Sequence, residues 1–129
     1  MAKPGSFKQA AAFDRPIVDQ MILDVGGEAF SRLAKLFIDE TAAELDAIER
    51  LAASSQDMRE LGRRAHSLKN AAGSFGLAAL AAAARELEAA SDAADGHAAT
   101  RAAQQLRAAH DAGMPALLNI VGDFSGPKT

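Results

Sequence analysis

The residues best suited to chemistry lie on one side of a helix-forming stretch, RRAHSLKNAAGSFG, which runs from Arg63 to Gly76. At about 100° per residue, an α-helix here places His66 roughly 130° from an apolar stripe centred on Ala65 and Leu68. The imidazole is therefore expected to face solvent. Its neighbours on adjoining turns are two glycines, two cations and one small amide: Gly62, Arg63, Lys69, Asn70 and Gly73.

Two glycines inside one helix are unexpected in a chain so rich in alanine, because each costs about 0.5–1 kcal/mol relative to Ala. Their missing side chains bare the imidazole to a bulky approaching surface, and the nearby cations would stabilise an anion held at the ring. Those are the needs of a histidine that another protein phosphorylates. The alternative is an ordinary solvated histidine, beside glycines that let a neighbouring helix or loop approach.

The composition predicts one compact, all-helical domain. The chain has 129 residues, 49% of them apolar and only 5% aromatic, and it lacks cysteine, which excludes disulfides and thiolate metal sites. A net charge of -3 argues against nucleic acid as the main partner. The longest apolar run, GLAALAAAA, is too short to cross a membrane, and the first residues lack a signal peptide, so a cytoplasmic protein is expected.

Helical spacing of the apolar residues predicts five helices. The first is short, with Asp14 as its N-cap and its end at Gly26 and Gly27. The others cover residues 28–53, 58–75, from 77 into the loop SDAADG, and 97–121, where Gly113 and Pro115 should bend or split the last helix. The inward-facing positions include Phe30, Leu33, Phe37, Leu45 and Ile48 in the second helix, Leu61, Ala65, Leu68, Ala72 and Phe75 in the third, Leu77, Leu80, Ala84 and Leu87 in the fourth, and Ala102, Leu106, Ala109, Leu117 and Ile120 in the last.

These elements predict an antiparallel four-helix bundle with a short additional N-terminal helix that caps one end. The bundle domain is expected over residues 14–121. Residues 1–13 are expected to form a flexible N-terminus, and residues 122–129 a flexible tail.

The central stretch resembles the histidine phosphotransfer (HPt) domain family of bacterial two-component phosphorelays. The family pattern is His, any residue, Leu, Lys, usually Gly, five small or apolar residues, then Gly, and it is met here by His66, Leu68, Lys69 and Gly76. The preceding helix, FSRLAKLFIDETAAELDAIE, also looks like its counterpart in the family. Asn70 departs from the pattern, since it stands where glycine is usual, and this either narrows access to His66 or changes which partners dock.

The resemblance implies a phosphocarrier rather than an enzyme. His66 would take a phosphoryl group at Nε2 from a receiver-domain aspartate and pass it to another receiver aspartate, while Lys69 stabilises the phosphoryl oxygens. Gly62, Arg63, Asn70 and Gly73 would form the docking face. The implied partners are response-regulator receiver domains and a hybrid histidine kinase. The receiver would supply Mg²⁺, so the chain, expected to be a monomer, needs no cofactor of its own.

Two other functions remain open. One is the phosphoacceptor domain of a chemotaxis-type histidine kinase, phosphorylated in trans by an ATP-binding domain. The other is a helical adaptor that binds receiver domains without being phosphorylated. His97 and His110 have no helical spacing to His66 and are interpreted as solvated or capping residues.

Overall fold

The fold is all-helical. The computed structural model describes residues 11–54 and 57–125, and within these ranges it contains five helices and no strand. The helices are α1 (Arg15–Val25), α2 (Gly27–Ser54), α3 (Met58–Ser74), α4 (Ala78–Asp92) and α5 (Gly96–Ser125). The prediction of five helices is therefore confirmed, with most ends within a residue or two of those expected.

Glycine and aspartate mark most of the helix ends. Gly26 ends α1 with a φ of 90°, and its N–H donates to the Ile22 carbonyl at 2.8 Å. Gly27, which was also expected to end that helix, instead begins α2. Asp14 occupies the N-cap position of α1 as predicted, but its side chain makes no capping hydrogen bond. The side chain of Asp57 does cap α3, since its Oδ1 accepts from the Glu60 N–H at 3.0 Å.

The turn from α3 to α4 is a Schellman motif built on Gly76. This residue has a φ of 74°, a left-handed conformation that glycine adopts without the steric cost of a side chain. The Gly76 N–H donates to the Gly73 carbonyl, and the Leu77 N–H reaches back to the Ala72 carbonyl at 2.9 Å. The chain therefore reverses within three residues, as the glycine predicted.

The four longer helices contact one another in a closed ring, in which α2 touches α3 and α5, and α4 touches the same two helices from the opposite side. Arginines join α2 to both of its neighbours. Arg64 on α3 pairs with Glu44 at 3.0 Å, while Arg107 on α5 reaches Glu49 and Asp46, each at 2.9 Å. The hydrogen bond from Arg107 lowers the pKa of Glu49, which favours the charged form of this carboxylate.

The short helix α1 lies against the α3–α4 turn. The Asp14 N–H donates to the Gly76 carbonyl at 2.6 Å, and Val18 is fully buried there. Phenylalanines fill the same end of the molecule, because Phe75 stacks on Phe37 and also packs against Phe30, with centroid distances of 4.6 and 6.3 Å.

Two expectations, one about the burial of Leu33 and one about the end of the last helix, are wrong. Leu33 was placed in the core, but its side chain is 46% exposed, because it lies at the edge of the α2 stripe rather than on its centre line. The last helix was expected to end at Val121, but α5 continues to Ser125, and the Phe124 ring packs edge-on against Phe30. Residues 1–10 and 126–129 of the expected flexible ends lie outside the described residues.

Helix α5 is not split at Gly113 and Pro115. Pro115 is exposed within one continuous helix. Gly113 is instead buried, and a Cβ placed on it would lie 2.7 Å from the Ala12 carbonyl oxygen and 2.9 Å from Leu77 Cδ2. The glycine therefore makes room for the chain segment that precedes α1.

We predict that Gly113→Ala destabilises the protein, whereas Gly122→Ala in the same helix does not. The first substitution forces a methyl group against a carbonyl oxygen and should lower the free energy of unfolding by about 1–3 kcal/mol. Open space surrounds Gly122, so alanine there should change stability only through helix propensity, by up to about 1 kcal/mol in the favourable direction. Urea unfolding followed by circular dichroism measures both, and equal changes in the two variants would contradict the packing role of Gly113.

Candidate functional site

His66 lies on the solvent-facing side of α3, as its distance from the apolar stripe predicted. Its side chain is 54% exposed, while Leu61, Ala65, Leu68 and Ala72 of the same helix are buried. The histidine therefore contributes little to the core, and one edge of its ring is open to an approaching molecule.

The carboxylate of Glu88 on α4 faces both His66 and Lys69. Glu88 Oε2 is 2.9 Å from His66 Nδ1, and Oε1 is 2.9 Å from Lys69 Nζ. The hydrogen bond from Lys69, with a further one from His66, lowers the pKa of Glu88, so the group is ionised at neutral pH. Two helices thus bring together a carboxylate, an imidazole and an ammonium group.

The position of Glu88 determines which ring nitrogen can act as a nucleophile. An ionised carboxylate has no proton and can only accept, so the hydrogen bond places the imidazole proton on Nδ1. In the neutral ring, Nε2 then carries the lone pair. The exposed imidazole therefore presents a nucleophilic nitrogen to solvent while its other nitrogen is held by the protein.

Asn70 contacts that nitrogen from the same helix. Its Nδ2 lies 3.4 Å from His66 Nε2, one helical turn further along α3. Arg63, on the preceding turn, pairs with Glu60, and its side chain is 71% exposed. The structure therefore brings His66, Lys69 and Asn70 into one cluster and places Arg63 on the same solvent face.

A groove between α3 and α4 runs away from His66 toward the start of α3. It is lined by Met58, Arg59, Gly62, Arg63, His66, Ser67, Glu88, Ser91 and Asp92. Two arginines lie on the α3 wall, and two carboxylates lie on the α4 wall. The groove is open to solvent and ends at the histidine.

The two glycines beside His66 differ in their surroundings. A Cβ on Gly62 would lie 3.3 Å from Ser91 Cβ, which is tight, whereas a Cβ on Gly73 would meet nothing within 4 Å. Gly62 therefore fits the alternative interpretation of these glycines, in which the missing side chain lets a neighbouring helix, here α4, approach α3. Gly73 leaves the solvent side of α3 bare, on the same side as His66.

The other histidines differ from one another. His97 is exposed, as expected of a solvated residue. The side chain of His110 is only 15% exposed, and its Nδ1 is 2.9 Å from Asp111 Oδ1. Describing His110 as solvated is therefore wrong, because its position continues the inward-facing stripe of α5 between Leu106 and Leu117.

Glu88 was not predicted as a site residue, although the spacing of the sequence contains a signal for it. His66 lies ten residues before Gly76, and Glu88 lies twelve residues after it. In a helical hairpin that reverses at Gly76, residues at similar distances from the turn face each other. Counting outward from the turn would have placed an acidic residue opposite the histidine.

Within the described residues, no cluster of three or more His, Asp and Glu side chains is arranged to hold a metal ion. None of the described helices is both long and apolar enough to span a bilayer.

The family profile described as Hpt domain matches residues 32–114. Comparison with curated proteins and with solved structures gives no match. The matched range covers well over half of the chain and contains His66, Lys69, Asn70 and Glu88. Together with the all-helical fold and the exposed imidazole, it shows that the chain belongs to the Hpt domain family, whose members are histidine phosphocarriers of two-component signalling.

Proposed function

We propose that this chain accepts a phosphoryl group on His66 Nε2 from the aspartyl phosphate of one receiver domain and passes it to the aspartate of another. The observation that carries the proposal is the 2.9 Å contact between Glu88 and His66 Nδ1 on an otherwise exposed ring. This contact orients the imidazole and directs its free lone pair outward, toward the surface that a partner can reach.

The transfer balances with the groups present. The Nε2 lone pair forms a bond to phosphorus as the bond from phosphorus to the aspartyl oxygen breaks, and the electron pair of that bond leaves on the receiver carboxylate. No proton needs to be lost, because the Nδ1 proton remains on the ring. The phosphorylated ring is then cationic, and the ionised Glu88 beside it stabilises that charge. The reverse sequence passes the group to the second receiver.

Lys69 is proposed to stabilise the phosphoryl oxygens. At rest its ammonium group is held by Glu88 at 2.9 Å and its side chain is only 23% exposed, so the group is kept beside the residue that contacts the ring rather than free in solvent. An incoming phosphoryl group offers the ammonium a second set of anionic oxygens. Glu88 therefore positions both the nucleophile and the cation that supports its product.

The helix arrangement that presents this site is proposed to be the antiparallel four-helix bundle. Between α2 and α3, Phe37 meets Phe75 while Glu44, further along α2, meets Arg64, which is earlier in α3. Between α2 and α5, Phe30 meets Phe124 while Glu49 meets Arg107. The order reverses in both pairs, as it does in the hairpin of α3 and α4.

The docking face is proposed to include Arg63, Asn70 and Gly73, all on the solvent side of α3. Gly73 leaves a bare strip of helix, and Arg63 adds a cation next to it. Receiver phosphorylation sites are acidic and bind Mg²⁺, so a cationic, sterically open face suits them. Gly62 is better explained by its contact with α4.

We predict that His66→Gln abolishes phosphoryl acceptance from a radiolabelled, phosphorylated receiver domain and leaves the helical content unchanged. The side chain is exposed, so its replacement should cost little stability. His97→Gln is the matched control, because it removes another exposed histidine and should accept label normally. Label retained on the His66→Gln protein would show that His66 is not the acceptor. Incubation with a kinase core and ATP tests for the chemotaxis-type alternative.

We predict that Glu88→Gln slows phosphoryl acceptance roughly tenfold. A hydrogen bond to an ionised group is stronger than a neutral one by about 1 kcal/mol, and this difference in free energy corresponds to nearly a tenfold change in rate. The amide can still accept a hydrogen bond from Nδ1, but it does not stabilise the cationic ring. Glu86→Gln removes an exposed carboxylate of the same helix and serves as the control. Single-turnover transfer measured by rapid quench separates the two, and equal rates would exclude the positioning role of Glu88.

We predict opposite effects for glutamine at the two glycines. Gly73→Gln should leave the melting temperature unchanged or higher, since glutamine favours a helix, but should weaken receiver binding. Gly62→Gln should lower the free energy of unfolding by about 1–3 kcal/mol, because its side chain collides with Ser91. Thermal melts and receiver titrations measure both effects. A Gly73→Gln protein that melts early yet binds and transfers normally would refute the docking role.

A further inference from the structure

The feature that the proposed function leaves unexplained is the amide of Asn70. Its Nδ2 lies 3.4 Å from His66 Nε2, and the side chain is exposed. The contact is therefore not a by-product of core packing. The sequence pattern that the chain otherwise follows has glycine at this position, so this chain carries a hydrogen-bonding group beside the reactive nitrogen where a side chain is usually missing.

The identity of the atom that faces the ring follows from the rest of the network. Glu88 holds the proton on Nδ1, so Nε2 offers a lone pair and needs a donor. Of the two ends of the Asn70 amide, only the NH₂ group can donate. At 3.4 Å the contact is long for an N–H···N hydrogen bond, so it is weak and easily exchanged for a better partner.

A phosphoryl group on Nε2 would be that better partner. Once the N–P bond forms, the ring lone pair is no longer available to the amide, but anionic oxygens lie on the same side of the ring. Hydrogen bonds to charged acceptors are stronger than those to neutral ones, so the contact of Asn70 improves when His66 becomes phosphorylated. Any interaction that is stronger in one state shifts the equilibrium toward that state.

Lys69 is bound to Glu88, the residue that holds Nδ1 of the ring, and is already engaged. Its ammonium group is bound to Glu88 at 2.9 Å, and its charge is partly balanced there. The Asn70 amide, in contrast, points at Nε2 itself. A phosphoryl group on Nε2 would thus have a neutral donor beside it, supplied by the next turn of α3, in addition to the cation that Glu88 holds.

We propose, on the basis of the proposed function, that Asn70 is a phosphoryl ligand that prolongs the lifetime of phosphorylated His66. At rest the amide makes only a long, weak contact with Nε2 and leaves the nitrogen accessible, and after phosphorylation it donates to a phosphoryl oxygen and shields the N–P bond from water. The residue therefore sets how long the chain retains the group between one partner and the next.

The test uses the full chain, phosphorylated chemically with phosphoramidate so that no receiver is needed. We expect the phosphohistidine of Asn70→Ala to decay about five- to tenfold faster than that of the wild type, because the variant loses one hydrogen bond to the phosphoryl oxygens. Asn70→Asp should decay faster still, because a carboxylate does not donate and repels the phosphoryl oxygens. Phosphate bound to the His66→Gln protein gives the background from the other histidines.

Two further measurements separate this role from a structural one. Alanine favours helix, so Asn70→Ala should melt no lower than the wild type. The ¹⁵N resonance of His66 Nε2 in the unphosphorylated protein should shift in Asn70→Ala, because the nitrogen loses its donor. An unchanged decay rate in Asn70→Ala would overturn the proposal. Should receivers fail to phosphorylate His66 while the chemical phosphohistidine still decays faster in the variant, the proposed relay would be wrong and the role of Asn70 would stand.

Discussion

The carboxylate of Glu88 joins the exposed histidine to the neighbouring lysine, and this shared contact exists only because α3 and α4 lie close together. A glutamate side chain cannot span a wide gap between helices. Gly62 and the buried Ser91 have almost no side-chain bulk where the two helices meet, and the turn at Gly76 sets which residues face each other. The backbone geometry of the hairpin therefore determines which nitrogen of the exposed ring is free to react.

Charged contacts outside the site define how the other helices meet. Both Arg64 and Arg107 reach acidic residues of α2, one from each side, so α2 forms the acidic partner of two interfaces. These pairs are partly exposed and each adds little to stability, since solvent screens their attraction. Together with the Phe37–Phe75 and Phe30–Phe124 contacts of the same interfaces, they mark the positions at which α3 and α5 meet α2.

Much of the fold followed from local rules. Apolar spacing located all five helices, and the exposure of His66 followed from its angle to the stripe. The exposure of Leu33 and the end of α5 were not predicted correctly, because both depend on neighbouring helices. Leu33 lies beyond the edge of the surface that α2 buries against its neighbours, and α5 is extended by the packing of Phe124 on Phe30. Glu88 was missed for a related reason, since a single helix pattern does not show what the next helix places opposite. The partial burial of His110 could not be predicted from its residue type, because a polar residue can occupy a position in an apolar stripe.

The segment before α1 has a consequence for how the molecule forms during synthesis. The Ala11 carbonyl accepts from the Ala79 N–H at 2.9 Å, and Ala12 packs against the bare backbone of Gly113. Among the described residues, the part of the chain that leaves the ribosome first thus rests on one of the last parts to emerge. The hairpin that carries His66 and Glu88 can assemble early from local contacts. The contact between Ala12 and Gly113, in contrast, cannot form until most of α5 has been synthesised. Packing of the segment before α1 against α5 is therefore a late event, and the hairpin of α3 and α4 does not depend on it.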